Sequence, residues 1–151
     1  MKFYRAICAL MISMLFMTCS SSDDSGSPCD AEALVNESRY NQAPRQGIFI
    51  KNVTVSGDCL QVNFEASGCD GSTWTIDLVG STQVAESLPA QRFIAIDLVN
   101  NEACLAIIDT TVSFDLTALR LSGDEIILNL QGWSENISYT CLLYTSDAAD
   151  D

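Results

Sequence analysis

Through the middle of the chain, apolar and polar side chains alternate with a period of two. Leu60, Val62, Phe64 and Ala66 alternate with Gln61, Asn63 and Glu65, and Trp74, Ile76 and Leu78 alternate with Thr75 and Asp77. The same rhythm runs through Ile94, Ile96 and Leu98, through Val112, Phe114 and Leu116, and through Ile126, Leu128 and Leu130. Successive side chains of a strand point to opposite faces, so each run predicts a half-buried strand. Ile48 to Val55, Cys104 to Ile108 and Ile137 to Thr140 are shorter candidates. Turn chemistry separates the runs at Ser56-Gly57-Asp58, Ser67 to Gly71, Asn100-Asn101 and Ser122-Gly123-Asp124. Ahead of them, Ser27-Pro28 followed by Cys29-Asp30-Ala31-Glu32-Ala33-Leu34-Val35 predicts a short helix: a capping serine, a proline in the first turn, and early acids. Asn41 to Gly47, with Pro44, ends it. The expected fold is all-β: an immunoglobulin-like sandwich of seven to eight strands behind one short N-terminal helix, with a small β-barrel as the alternative.

The two ends of the chain read differently. Lys2 and Arg5 precede an apolar run, Ala6 to Met17, interrupted only by Ser13. A transmembrane helix needs about 20 apolar residues, so this run fits the core of a signal peptide instead. It is followed by Phe16-Met17-Thr18-Cys19 and then Ser20-Ser21-Ser22-Asp23-Asp24. These residues resemble the lipobox and the Ser/Asp surface-export signal of Bacteroidota lipoproteins, with Thr18 in place of the usual Ala, Gly or Ser. The resemblance implies that residues 1–18 are removed and that Cys19 carries the lipid. It also implies a protein on the outer membrane facing outward, the periplasmic face being the alternative. Residues 19–28 then form a flexible tether, and the β-domain spans 29–140. At the other end, Cys141-Leu142-Leu143-Tyr144-Thr145-Ser146 is what the transposase end TGT CTC TTA TAC ACA TCT encodes, and Asp147-Ala148-Ala149-Asp150 continues it. Residues 141–151 therefore resemble a translated sequencing adaptor rather than a native tail.

Composition narrows the chemistry. The chain has seven Lys plus Arg against 20 Asp plus Glu, a net charge of −13, and no His. No basic stripe exists to neutralise phosphates, so nucleic acid is not an expected partner. Without histidine, Ser-His-Asp and Cys-His catalysis and His-ligated metals are excluded. No phosphate loop, dinucleotide fingerprint or metal-ligand spacing occurs, and no cofactor or metal is expected. Glu65, Asp77 and Asp97 are the candidates for a catalytic acid and base, although strand alternation alone places all three at outward polar positions. Trp74 shares the apolar face of its strand, whereas Trp133, after Gly132, is the candidate for stacking on a ligand. Asp109-Thr110-Thr111 resembles the O-glycosylation motif of Bacteroidota proteins, with Thr110 as acceptor, and reads otherwise as a linker between strands. Asn36, Asn52 and Asn136 head N-glycosylation triplets that a bacterial leader leaves without a use. The expected function is a surface-anchored, non-catalytic binding module for a glycan or protein. A small accessory hydrolase or inhibitor-like domain is the alternative.

Cysteine arithmetic is sharper. Cys8 leaves with the leader, Cys19 takes lipid, and Cys141 belongs to the adaptor-like tail, leaving Cys29, Cys59, Cys69 and Cys104. Four cysteines in an exported domain predict two disulfides with three possible connectivities. Cys59 opens a strand and Cys69 lies beyond its far end. Seven extended steps span roughly 23 Å, too far for a bond that needs Cα atoms within about 7 Å. If successive strands run up and down, Cys69 and Cys104 meet at one end and Cys29 and Cys59 at the other. A sandwich crossover that exchanged the ends would swap the partners.

Overall fold

A computed structural model describes residues 27–140. The leader 1–18, Cys19 with most of the tether, and the tail 141–151 lie outside the described residues. In chain order the elements are β1 (Ala31–Glu32), β2 (Leu34–Val35), α1 (Glu37–Gln42), β3 (Ile48–Ser56), β4 (Cys59–Gly68), β5 (Thr75–Ala85), β6 (Ala90–Val99), β7 (Ala106–Asp115), a 3₁₀ turn (Thr117–Leu119), β8 (Glu125–Leu130) and β9 (Ile137–Thr140). One sheet has the order β1-β7-β4-β3 and the other β2-β5-β6-β8-β9. They pack face to face as a sandwich and do not close into a barrel.

The alternating residues form the shared core. Leu60, Val62 and Phe64 of β4 and Phe114 of β7 meet Leu78, Ile94, Leu128 and Tyr139 of the facing sheet, all fully buried. A side chain of this size gains about 1.5–3 kcal/mol on leaving water, which is what the alternation is for. Most neighbours are antiparallel, but β6 and β8 run parallel, because the chain crosses to the other sheet as β7 and returns.

The first helix does not start where the sequence placed it. Residues 31–35 are extended and stitch the two sheets together: β1 pairs parallel with Phe114 and Asp115, and β2 pairs parallel with Val79 and Gly80. Between them Ala33, 1% exposed, crosses from one sheet to the other, and its N–H donates to the Asp115 carbonyl at 2.9 Å. Edge pairing on both sheets outweighs the weak local preference of these residues for a helix. The helix begins after Asn36, whose side-chain oxygen accepts from the Arg39 N–H at 3.0 Å.

Two further boundaries move. The candidates at 104–108 and 112–116 are one strand, β7, so Asp109-Thr110-Thr111 is mid-strand and not a linker. β5 continues past Leu78 to Ala85 across a register shift between Gly80 and Val84, where Ser81-Thr82-Gln83 break the alternation.

The sandwich has two distinct ends. The 57–58, 86–89 and 116–124 connections share one end with Ser27. The 69–74, 100–105 and 131–136 connections lie at the other.

Candidate functional site

The three carboxylates do not converge. Glu65 lies on the outer face of the first sheet, opposite Asp109 across the β4–β7 ladder. Lys51 bridges the pair, with Nζ 2.9 Å from Glu65 Oε1 and 2.5 Å from Asp109 Oδ2. The ammonium and the Asn63 amide hold the Asp109 carboxyl below its ordinary pKa. Asp77 and Asp97 lie on the other sheet, directly opposite each other on β5 and β6. Arg39 of α1 reaches both: Nη2 is 2.6 Å from each carboxylate, and Nε donates to Asp97 at 2.9 Å. One guanidinium thus bridges two like charges that would otherwise repel across the ladder, offsetting one of them. Each of the three carboxylates is thus held in an ion pair, Glu65 on one sheet and Asp77 with Asp97 on the other.

Trp74 packs against the core as the alternation implies, and its indole Nε1 is buried without a hydrogen-bond partner among the described residues. Trp133 is half-buried and packs on the same core, with its backbone N–H donating to the Leu130 carbonyl at 3.0 Å. Thr110 stands opposite Phe64 in the ladder, in phase with Val112 and Phe114, and is half-buried. Cys29 bonds Cys59 and Cys69 bonds Cys104, with Cα separations of 5.7 and 4.8 Å. These are the partners expected from strands that run up and down. Among the described residues no cluster of three or more His, Cys, Asp or Glu is placed to hold a metal ion.

A concave site forms elsewhere, where α1 lies over the outer face of the second sheet. The helix has six residues and would not persist alone in water. It is held by the Arg39 ion pairs and by Glu37, whose Oε2 accepts from Ser81 Oγ at 2.7 Å, Thr82 N at 2.8 Å and Thr82 Oγ1 at 2.9 Å. The Ser81 hydroxyl, then the Thr82 N–H and hydroxyl, hold the Glu37 carboxyl at about 2. Glu37 thereby ties the helix to the irregular turn of β5. Beside this junction lies an open groove of 490 Å³, lined by Phe93, Val84, Ala85, Tyr40, Asn41 and Gln83 together with Glu37 and Ser81 of the junction itself.

Glu37 and Ser81 in the groove's lining are bonded to each other, but three of its polar side chains keep unspent atoms. The Tyr40 hydroxyl and the Gln83 amide make no hydrogen bond to other described residues, and Asn41 uses only its NH₂, toward Glu37 at 3.1 Å. Phe93 is 43% exposed. Sequence reading passed over these residues, although a signal was present. Phe93 and Ala95 are apolar at positions out of phase with Ile94 and Ile96, the mark of an outer face that something covers.

No family model matches the chain, and no curated protein matches it. Its fold is similar to a crystal structure of a protein of unknown function, DUF1344, from Bacteroides vulgatus, with a TM-score of 0.50 and 16% sequence identity. The match covers 73% of this chain and 55% of that one, so this chain spans about half the length of the protein it resembles. At this identity the likeness is one of fold.

Proposed function

We propose that the protein is a lipid-anchored module on the outer surface of the outer membrane that binds a ligand and does no chemistry on it. The observation that carries this reading is the groove beside α1, where aromatic surface and unspent polar atoms meet while the candidate carboxylates are paired off elsewhere. Ligand sites are concave and mostly apolar with a few placed polar groups, and their usual volume is about 300–1,000 Å³. The lipobox-like residues at Cys19 and the Ser/Asp run after it supply the anchor and its outward destination. Three acyl chains would hold the protein stably, since two already suffice. The immunoglobulin-like assignment of the sandwich is part of this proposal. It is supported by β3, β4 and β7, which neighbour one another as strands A, B and E do, and by the β8–β9 hairpin. The place of β6 between β5 and β8 departs from that scheme.

The test uses the purified full chain in detergent micelles, applied to a glycan array and to chromogenic glycoside and ester substrates. Saturable binding without turnover is expected. Turnover that disappears in Asp77→Asn or Asp97→Asn would overturn the reading in favour of a hydrolase.

A further inference from the structure

We propose that the groove beside α1 takes a neutral saccharide, an assignment that rests on the binding-module reading above and names its ligand class. A sugar ring presents a face of C–H groups and a rim of hydroxyls, each both donor and acceptor. The groove supplies the complement to both. The exposed face of Phe93, with Val84 and Ala85 beside it, offers apolar surface to the C–H side. Around it stand the Tyr40 hydroxyl, the Gln83 amide and the free oxygen of Asn41, which together can donate and accept.

Charge selects among sugars. No Lys or Arg lines the groove, and Arg39, the nearest guanidinium on α1, is already shared between Asp77 and Asp97. Glu37 contributes a carboxylate at the groove's edge, kept ionised by the Ser81 and Thr82 contacts. An anionic sugar would meet this charge with nothing to offset it, and the whole chain carries −13. The groove is open to solvent and does not enclose its occupant, which suits part of a longer chain better than a single buried ring. A 490 Å³ volume leaves room for more than one residue of it.

The experiment titrates the full chain in micelles with neutral gluco-, xylo-, manno- and galacto-oligosaccharides and with oligogalacturonate as the charged counterpart. Binding is read by calorimetry and by backbone amide shifts. At least one neutral series should bind, with shifts concentrated in residues 37–41, 81–85 and 93, and oligogalacturonate should not. Phe93→Ala should weaken binding about tenfold, a loss of 1.4 kcal/mol. Phe93→Leu, which keeps apolar bulk but removes the ring, should do nearly the same, and it guards against a folding artefact in the alanine variant. Gln83→Ala should weaken binding several-fold. Phe49→Ala, on the other sheet, should leave it unchanged. Neutral-sugar binding indifferent to Phe93 and Gln83 would overturn this site but leave the binding-module reading intact. Preference for the uronate, or failure of every sugar series to bind, would overturn the ligand class alone. Turnover of a bound sugar would overturn the binding-module reading itself.

Discussion

Glu102 spends its carboxylate on the backbone of a different loop. Its Oε2 accepts from the N–H of Cys69 at 2.5 Å and of Gly71 at 3.2 Å, and its Oε1 accepts from the Thr73 hydroxyl at 2.9 Å. Successive N–H groups curled this way form a nest for an anion, and here the protein supplies the anion itself. Burial pushes the Glu102 pKa upward, but the Cys69 N–H, the Thr73 hydroxyl and the Gly71 N–H together hold it at about 2. The fit explains why residue 68 is glycine, since a Cβ there would sit 2.6 Å from Glu102 Oε2 and 2.7 Å from the Trp74 ring. Glu102 and Glu37 both have folded values near 2, below the ordinary 4.5. Unfolding therefore takes up protons in acid. Their stabilisation is complete above pH 4.5 and is lost as the pH falls from there toward 2. Glu102→Gln should lower the urea midpoint at pH 7 and flatten its decline between pH 5 and 3. An unchanged acid profile would show that the nest does not bind the charged form preferentially.

At the scale of elements, α1 is the piece that makes the groove, and its hold on the fold is local. Asn36 is its one capping side chain, so Asn36→Ala should cost about 1 kcal/mol in urea unfolding. The same variant should loosen the groove and weaken any ligand there without disturbing the sandwich. Full retention of ligand affinity would separate helix capping from the site. This element also shows where the sequence was readable. Period-two alternation marked the strand cores from Leu60 to Ala66, Ile94 to Leu98 and Ile126 to Leu130, because a sheet packed on one face leaves that trace. The disulfide partners followed from strand direction and length. Residues 31–35 left no such trace, since two-residue parallel pairings at sheet edges are fixed by distant strands and not by local pattern. Arg39 was equally silent: a lone arginine gives no hint that a cross-strand pair of aspartates awaits it. Val79, Ala95 and Phe93 did carry information, being apolar on the polar phase. They marked the face on which α1 lies, and passing over them left the groove unseen.

Taken whole, the molecule has polarity. Ser27, where the described chain begins, lies at the end of the sandwich that holds the 57–58 turn, and the Cys69–Cys104 bond pins the opposite end. With the proposed lipid at Cys19, the tether would join the domain at the first end, and the second end would be the one farther from the anchor. Cys19→Ala should release the protein from the membrane fraction, and protease treatment of intact cells should remove the wild-type domain. Full protection of the wild type would assign it to the periplasmic face. Deleting residues 141–151 should leave the melting temperature unchanged if they are adaptor sequence, and a large drop would make them part of the fold. The Cys29–Cys59 bond acquires a mechanical meaning in this orientation. Drag on a surface protein arrives through its tether, and at Cys29 the load can leave the main chain. It passes through sulfur into Cys59, at the start of β4, which is hydrogen-bonded along one side to β3 and along the other to β7. The two-residue β1 pairing and the helix behind it stay outside the force path. In single-molecule pulling from residue 20, reduction should lower the first rupture force and add about 100 Å of extension, the reach of the 30-residue segment the bond encloses. Helix α1 lies within that segment, so under the proposed anchoring the bond would carry tension past the helix and leave it slack.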